Sequence, residues 1–136
     1  MMRGFSGDLA DRIAIRERIE AYNDAVFRKD AEDWAECWAQ DAQWQVGDHA
    51  ASGREAIRDL WVRLMAGFDA AAMYVNHGAL AIEGDHADSR CYMLEMLKGG
   101  DGSERLVSGQ YDDTLRRDTD GIWRFTARRY TVLQVR

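Results

Sequence analysis

The second half of the chain, from residue 73 onward, alternates long extended runs with short turn sequences. The turn sequences are EGD, GGDG and DTDG, whose glycine and acidic residues favour tight hairpin connections. The extended runs cover residues 73–82, 86–98, 104–117 and 122–135. Because runs joined by such short turns pair with their neighbours, this half of the chain is predicted to form a four-stranded antiparallel meander.

The first half of the chain carries helical patterns. Residues 8–29 form one predicted helix, since a single helical stripe holds four apolar residues: Ile15, Ile19, Tyr22 and Val26. A second helix is predicted over residues 31–40 and a short strand over residues 42–46. Helices that precede an antiparallel sheet indicate an α+β fold in which the helices cover one face of the sheet.

The third predicted helix begins at the sequence SGRE, residues 52–55. This sequence has the form of a capping box, in which the Ser52 side chain accepts a hydrogen bond from the Glu55 amide. The apolar positions that follow keep strict helical spacing: Ile57, Leu60, Trp61, Leu64, Met65 and Phe68. The predicted order is therefore three N-terminal helices with one early strand, followed by the meander.

Composition limits the possible partners. The 136 residues suit a single domain spanning 1–136, and a formal net charge of −6 argues against a nucleic-acid partner. No apolar stretch is long enough to cross a membrane, so no membrane partner is expected. The N-terminus does not resemble a signal peptide, and the two cysteines, Cys37 and Cys91, indicate no disulfide framework. A cytoplasmic protein with reduced thiols is expected.

An acidic segment, residues 21–44, raises the question of a catalytic site, because six carboxylates surround three tryptophans. Glu32, Asp33 and Glu36 fall on the side of the second predicted helix opposite its tryptophans. Carboxylates in such positions are usually solvated. We therefore expect most of this acidic segment to be the exposed side of ordinary helices.

Several segments, in their order and spacing, resemble the nuclear-transport-factor-2-like superfamily, and specifically its SnoaL-like members. The segments are Tyr22, KDAEDWAECWAQDAQW, SGREAIRDLW, IEGDHA, GQYDD, and DGIWRF with Arg128 behind it. The resemblance implies a strongly bent antiparallel sheet that forms a cone around the three helices, with a pocket in its mouth. It also implies a homodimer formed through the outer face of the sheet. Members include dehydratases, isomerases, cyclases, dehydrochlorinases and non-catalytic carriers, so the fold alone does not decide the function.

Dehydratase-like members of this superfamily use an Asp near the end of the first helix to orient a His on the first meander strand. By spacing, those positions fall on Phe27 and Met73 in this sequence, and a second His of the scytalone dehydratase type falls on Cys91. None of the three residues can act as the expected acid or base. The sequence therefore lacks the standard Asp/His dyad.

Three other polar residues remain as catalytic candidates: His77, Glu95 and Asp30. A two-residue turn at Gly84-Asp85 would pair Ile82 with Ala87, and strand alternation from that pair points the Asn76 side chain toward the pocket. A β-bulge at Gly78 would reverse this alternation and point the His77 side chain toward the pocket instead. A shift of the first helix by one turn could bring Asp30 to His77. Glu95 lies among apolar residues and needs either solvent or a cation, for which Arg128 is the predicted partner.

These inferences predict an apolar pocket for a small organic ligand, with no cofactor and no metal ion. Its expected lining comprises Phe27, Trp44, Met73, Asn76, His77, Cys91, Met93, Glu95, Tyr111 and Arg128. The first hypothesis is a small-molecule-binding protein without acid–base chemistry. The alternatives are a lyase or isomerase, of dehydratase or cyclase type, with His77 or Glu95 as base, and a structural or assembly module.

Overall fold

A computed structural model describes all residues, 1–136, as three helices and seven strands. In chain order the elements are β1 (Gly4–Ser6), α1 (Leu9–Arg28), α2 (Ala31–Glu36), β2 (Trp38–Val46), β3 (His49–Ser52), α3 (Arg54–Met65), β4 (Phe68–Glu83), β5 (His86–Gly99), β6 (Glu104–Arg117) and β7 (Trp123–Val135). The predicted α+β class, with three helices on a curled sheet, is confirmed.

All seven strands belong to one sheet in the order β1-β4-β5-β6-β7-β2-β3. The strands β4 to β7 form the predicted antiparallel meander. Two parallel pairings close the sheet at its sides, since β1 pairs with β4 and β2 pairs with β7. Sequence analysis missed both short strands, β1 and β3, and both parallel pairings. None of the helices has the length and apolar character that a membrane crossing requires.

Helix α1 forms as its sequence predicts. Asp8 caps its N-terminus by accepting hydrogen bonds from the amides of Ala10 and Asp11. The chain leaves the helix at Lys29, which has a positive φ of 53°. The four residues of the predicted apolar stripe are all buried. This stripe packs on β4 and β7, so α1 covers the concave side of the sheet.

Helix α2 ends at Glu36, so the predicted extent to residue 40 is wrong. Trp38 instead begins β2 and pairs with Phe125 of β7, whose amide donates to the Cys37 carbonyl at 2.9 Å. Strand pairing with a distant segment therefore overrides the local helical pattern. The prediction for the acidic face is confirmed, because the Glu32, Asp33 and Glu36 side chains are exposed.

The predicted capping box at Ser52 is also wrong. Ser52 pairs with Gln43 as the last residue of β3, and the N-cap of α3 is Gly53, which makes no side-chain cap. Gly53 has φ of 89°, a conformation that glycine adopts readily. Its amide donates to the Ala42 carbonyl at 2.7 Å, which ties the start of α3 to β2. The helix stops at Met65, and Phe68 begins β4.

The core between the helices and the sheet is rich in aromatic side chains. Trp34 is fully buried and stacks on Trp61 with ring centroids 4.8 Å apart. Its edges contact Trp38 and Trp44 at centroid distances of 5.5 and 5.3 Å. Because Trp44 and Trp61 also border a partly open cavity, this cluster fixes one wall of the candidate site.

Candidate functional site

An apolar cavity of about 110 Å³ lies between α1, α3 and the concave face of the sheet. Thirteen of its 14 lining residues are hydrophobic, and the remaining one is Glu95. The lining comprises Tyr22, Val26, Trp44, Val46, Trp61, Leu64, Met65, Phe68, Ala71, Ala72, Met73, Glu95, Leu97 and Tyr111. Four of the residues expected in the pocket therefore line this cavity: Trp44, Met73, Glu95 and Tyr111.

Glu95 is the one carboxyl group on the cavity wall. It is partly buried on β5, between Met73 of β4 and Val107 of β6. Burial raises the pKa of the Glu95 carboxyl, and the Tyr130 side chain and the Arg105 guanidinium offset part of this rise. The Tyr130 hydroxyl is near enough to influence Glu95 but has no partner within hydrogen-bond geometry. Glu95 is therefore an ionisable group that forms no ion pair and has the Tyr130 hydroxyl as its polar neighbour.

The predicted Glu95–Arg128 pair is wrong, because Arg128 pairs with Asp113. Both side chains are fully buried, and the Arg128 Nε and Nη2 atoms donate to the two Asp113 carboxylate oxygens at 2.7 and 3.0 Å. Burial alone would lower the pKa of Arg128, but the Asp113 carboxylate raises it above its ordinary value. Arg128 thus belongs to the core and does not line the apolar cavity.

Three aromatic rings surround the Arg128 guanidinium. Its central carbon lies 4.5 Å from the ring centre of Tyr22, 3.8 Å from that of Tyr111 and 4.1 Å from that of Phe125. Tyr22 and Tyr111 also line the cavity, and the Tyr111 hydroxyl accepts a hydrogen bond from Trp44 Nε1 at 3.2 Å. The buried ion pair therefore supports the cavity wall from behind through cation–π contacts.

His77 lies outside the apolar cavity, in a separate groove beside α1. The predicted Ile82–Ala87 pair is present, and an extra residue at Gly78 shifts the register so that His77 lies opposite Cys91. The Gly78 bulge therefore turns His77 to the concave side of the sheet. A Cβ atom at this glycine would lie 2.9 Å from the Tyr92 ring, so a larger residue there would force the Tyr92 ring to move.

Burial and nearby positive charge keep His77 neutral. Its Nε2 atom lies 2.8 Å from the Ser89 hydroxyl. Burial, and then the positive charge of Arg16, lower the pKa of His77 to about 4. Its strand neighbour Cys91 is also uncharged, since burial and then the Asp113 charge raise the pKa of its thiol to about 12. His77 is therefore poorly placed to act as a base toward a molecule in the apolar cavity.

The other predicted site residues lie away from the cavity. Phe27 is 46% exposed and packs edge-on against Tyr74 in an open groove, so the prediction that it points into the cavity is wrong. Asn76 is exposed, whereas Cys91 and Met93 are buried in the core without lining the cavity.

Asp30 does not form the hypothetical pair with His77. It caps α2 by accepting from the Asp33 amide at 3.0 Å, and it pairs with Arg28 at 3.1 Å. Hydrogen bonding to the Asp33 amide lowers the pKa of its carboxyl, as expected for an acid that serves as a cap. No three His, Cys, Asp or Glu side chains come together in a way that could hold a metal ion.

Sequence analysis missed the contribution of α3 to the cavity. Trp61, Leu64 and Met65 form part of its wall, together with Val26 of α1. The helical apolar stripe of α3 was a usable signal, because a stripe that faces a bent sheet either fills the core or borders any space left there. Ala71 and Ala72 gave no comparable signal in the sequence. Whether a small residue borders a cavity depends on how its neighbours pack, which the sequence does not show.

Comparison with known proteins shows the family. A family model described as a SnoaL-like domain matches residues 7–129. This chain belongs to the SnoaL-like domain family. Comparison of the SnoaL-like chain with curated protein sequences gives no match.

Solved structures agree with the SnoaL-like assignment. A protein of Novosphingobium aromaticivorans, provisionally named an aromatic ring hydroxylase, has 28% identity and a TM-score of 0.87 over 95% of this chain and 93% of its own. A second protein of that species, provisionally named a scytalone dehydratase, has 19% identity and a TM-score of 0.87 over 94% of this chain and 87% of its own. A hexachlorocyclohexane dehydrochlorinase (LinA) of type 2 has 21% identity and a TM-score of 0.85 over 94% of this chain and 88% of its own. The NTF2-like cone fold is thereby confirmed.

In this SnoaL-like chain, the positions that the family resemblance assigns to an Asp/His pair hold Phe27 and Met73. Met73 lines the apolar cavity, whereas Phe27 lies in the adjoining open groove. The SnoaL-like cavity therefore presents to a ligand an apolar surface with one carboxyl group, Glu95, and two tyrosine side chains.

Proposed function

We propose that this SnoaL-like protein binds a small, largely apolar organic molecule in the cavity and anchors it through Glu95. The observation that supports this proposal is the lining itself, with 13 hydrophobic residues and one carboxyl group. Pockets of this composition suit organic ligands that carry few polar atoms. Apolar cavities of about 150 Å³ accept benzene, and this cavity of about 110 Å³ is smaller but partly open, so a ligand with one ring fits if its end extends through the opening.

The polar part of the ligand follows from the state of Glu95. Its carboxyl group is partly removed from water and forms no ion pair within the protein, with only the Tyr130 hydroxyl as a polar neighbour. A ligand with a hydrogen-bond donor, and above all an ammonium group, supplies the missing partner. We therefore propose a one-ring or similarly small ligand with a single donor or cationic group.

The test uses benzylamine and toluene, which differ mainly in the cationic group. Tryptophan fluorescence reports binding, because Trp44 and Trp61 line the cavity. Glu95→Gln should weaken benzylamine binding by about 1–3 kcal/mol, since it removes a charge-assisted hydrogen bond. The same change should leave toluene binding nearly unchanged, because toluene makes only apolar contacts.

Glu83→Gln is the matched control, since Glu83 is an exposed strand residue outside the cavity. It should bind both compounds as the unaltered protein does. Equal benzylamine affinity in Glu95→Gln and the unaltered protein would contradict the anchoring role. Failure of both compounds to bind the unaltered protein would contradict the proposed ligand class.

A second candidate function is a lyase or isomerase with Glu95 as general base. The observation that favours it is a carboxyl group with a raised pKa at the wall of an apolar cavity, an arrangement found where acids and bases act catalytically. Exchange of deuterium from solvent into the carbon next to the carbonyl of cyclopentanone would reveal such a base. Catalysis would be supported if the unaltered protein speeds this exchange and Glu95→Gln abolishes the effect. If the exchange rate with the unaltered protein equals the rate in buffer alone, ligand binding remains the proposed function.

We propose that two copies associate through the outer face of the sheet. Four large side chains are exposed on this face of β4 and β5: Tyr74, Tyr92, Leu94 and Met96. Exposed apolar patches of this kind commonly mark interfaces, and copies of one chain usually form a closed two-fold dimer. Tyr74 and Leu94 are direct neighbours across the two strands, so they form one continuous apolar surface.

Light scattering at micromolar concentration should therefore give about twice the chain mass of 15.5 kDa. Leu94→Glu should shift the protein to a monomer, because it places a charge in the proposed interface. Glu83→Gln again serves as the control and should remain dimeric. A monomeric mass for the unaltered protein at high concentration would refute the dimer.

The state of the two cysteine thiols is evidence about the compartment in which the protein works. Cys37 and Cys91 are both free and buried, and the chain has no other cysteine. Free thiols persist in reducing compartments. We therefore propose that the protein works in the cytoplasm.

A further inference from the structure

A second groove, of about 240 Å³, lies between α1 and the strands β1 and β4. It shares no lining residue with the apolar cavity that contains Glu95. Its lining comprises Phe5, Leu9, Arg12, Ile13, Arg16, His77 and Leu80. Four of these residues are hydrophobic, and the other three are two arginines and a histidine. The groove therefore combines an apolar surface with basic groups and contains no acidic side chain.

The two arginines of this groove are free of acidic partners. Arg12 and Arg16 are separated by one turn of α1, so they point to the same side of the helix. The single side-chain hydrogen bond of Arg12 goes to the Phe5 carbonyl at a long distance, 3.4 Å, and Arg16 makes none. Seven other arginines of the chain form ion pairs: Arg28, Arg54, Arg58, Arg116, Arg117, Arg124 and Arg128. Arg12 and Arg16 are two of the nine arginines, out of sixteen in the chain, that form no ion pair, and they line the same groove.

His77, on β4, is the third basic residue that lines this groove. Its ring is fixed by the Ser89 hydroxyl at 2.8 Å and by the edge-on ring of Phe5 at a centroid distance of 5.3 Å. The charged groups that act on His77 are Arg16 of α1 and Arg128 of β7, both positive, and Ser89 of β5 is neutral. The local field at the imidazole is therefore positive.

We propose that this groove binds an oxyanion, a carboxylate or a phosphate monoester, that is attached to a small apolar group. Arg12 and Arg16 would hold the oxyanion, since a guanidinium group matches the geometry of carboxylate and phosphate oxygens. Phe5, Leu9 and Leu80 would contact the apolar group. This site is independent of the proposed ligand in the apolar cavity, and an oxyanion suits it because the groove presents no negative charge.

The experiment measures binding of benzoate and phenyl phosphate by NMR, through the ring signals of His77. Benzyl alcohol is the uncharged reference. Both anions should shift the His77 signals, and benzyl alcohol should not do so at the same concentration. Tighter binding of phenyl phosphate identifies phosphate monoesters as the ligand class, and tighter binding of benzoate identifies carboxylates. A bound oxyanion should also raise the pKa of His77 above its value of about 4 in the free protein, because a negative charge stabilises the imidazolium.

The variants Arg12→Gln and Arg16→Gln should each weaken anion binding by about 10-fold to 100-fold, because each removes a charge-assisted contact. Arg63→Gln is the matched control, since Arg63 is an exposed helix residue of α3 outside the groove. It should bind both anions as the unaltered protein does. The proposal is overturned if neither anion shifts the His77 signals, if benzyl alcohol shifts them as strongly, or if Arg63→Gln loses as much affinity as Arg16→Gln.

Discussion

Asp113→Ala should lower the free energy of unfolding by about 3–5 kcal/mol, because it leaves the Arg128 guanidinium buried without its counter-ion. Both side chains are fully removed from solvent, so water cannot replace the lost carboxylate. The Arg128 Nη1 atom already has no hydrogen-bond partner, which makes the guanidinium depend further on Asp113. Urea unfolding followed by circular dichroism would measure the change.

The adjacent residue provides the control for this prediction. Asp112 is exposed on the opposite face of β6, and its side-chain contact is with Gln110. Asp112→Ala should therefore change the stability by less than about 0.5 kcal/mol. The double change Asp113→Leu with Arg128→Met should recover much of the loss, since apolar side chains can replace a buried ion pair. Equal losses for Asp112→Ala and Asp113→Ala would contradict the importance of this pair.

Trp34→Ala should cost about 3–5 kcal/mol, the range for the removal of a large buried aromatic side chain. Trp34 is fully buried and contacts the rings of Trp38, Trp44 and Trp61, so its loss leaves a hole in the core. Thermal unfolding would measure the loss. Indole added to the variant should raise its melting temperature, because the vacated space is apolar and has the shape of an indole ring.

An exposed aromatic residue is the appropriate control for Trp34. Phe27 is 46% exposed, and Phe27→Ala should change the stability by only a few tenths of a kcal/mol. Indole should not stabilise that variant. A loss below about 1 kcal/mol for Trp34→Ala would mean that the aromatic cluster does not support the wall of the cavity.

Local sequence patterns predicted the elements whose structure depends on near neighbours. The α1 stripe and the turns between the long strands are such cases, and both are present in the structure. The predicted helix over residues 31–40 failed because Trp38 pairs with Phe125, a residue far away in the chain. The capping box failed for a similar reason, since Ser52 is engaged by Gln43 in a strand pair. Both errors arise from tertiary pairing that a local pattern does not contain.

The predicted Glu95–Arg128 pair failed because the two residues lie at different levels of the sheet: Arg128 lies opposite Asp113, which lies opposite Ser89, six residues before Glu95 on β5. Simple counting from the β6–β7 turn, where Arg117 lies opposite Trp123, would place Asp112 opposite Arg128. A register shift between Thr114 and Leu115 brings Asp113 opposite Arg128 instead. Bulges of this kind reverse which face a side chain occupies, and a sequence alone does not fix their position. The Gly78 bulge had the same effect on Asn76 and His77.

The apolar nature of the cavity was predicted from the sequence, but most of its lining residues were not. Met73 was assigned to the pocket by the family resemblance and does line the cavity, whereas Phe27, assigned in the same way, lies in the adjoining groove near the end of α1. Glu95 could be identified as unusual from its apolar neighbours. The absence of an ion pair at Glu95 could not be predicted, because it depends on which residues of β6 and β7 lie level with Glu95 in the sheet.

The parallel pairing of β2 with β7 has a consequence for how the protein is made. During synthesis, β2 leaves the ribosome long before its partner strand, so Trp38 and Trp44 have no sheet to join at that stage. The Arg128 that pairs with Asp113 also arrives with the last strand. We therefore expect the early helices to remain loosely structured until β7 emerges, after which the whole unit folds together. A nascent chain that stalls before β7 would expose its tryptophans and be a natural target for chaperones.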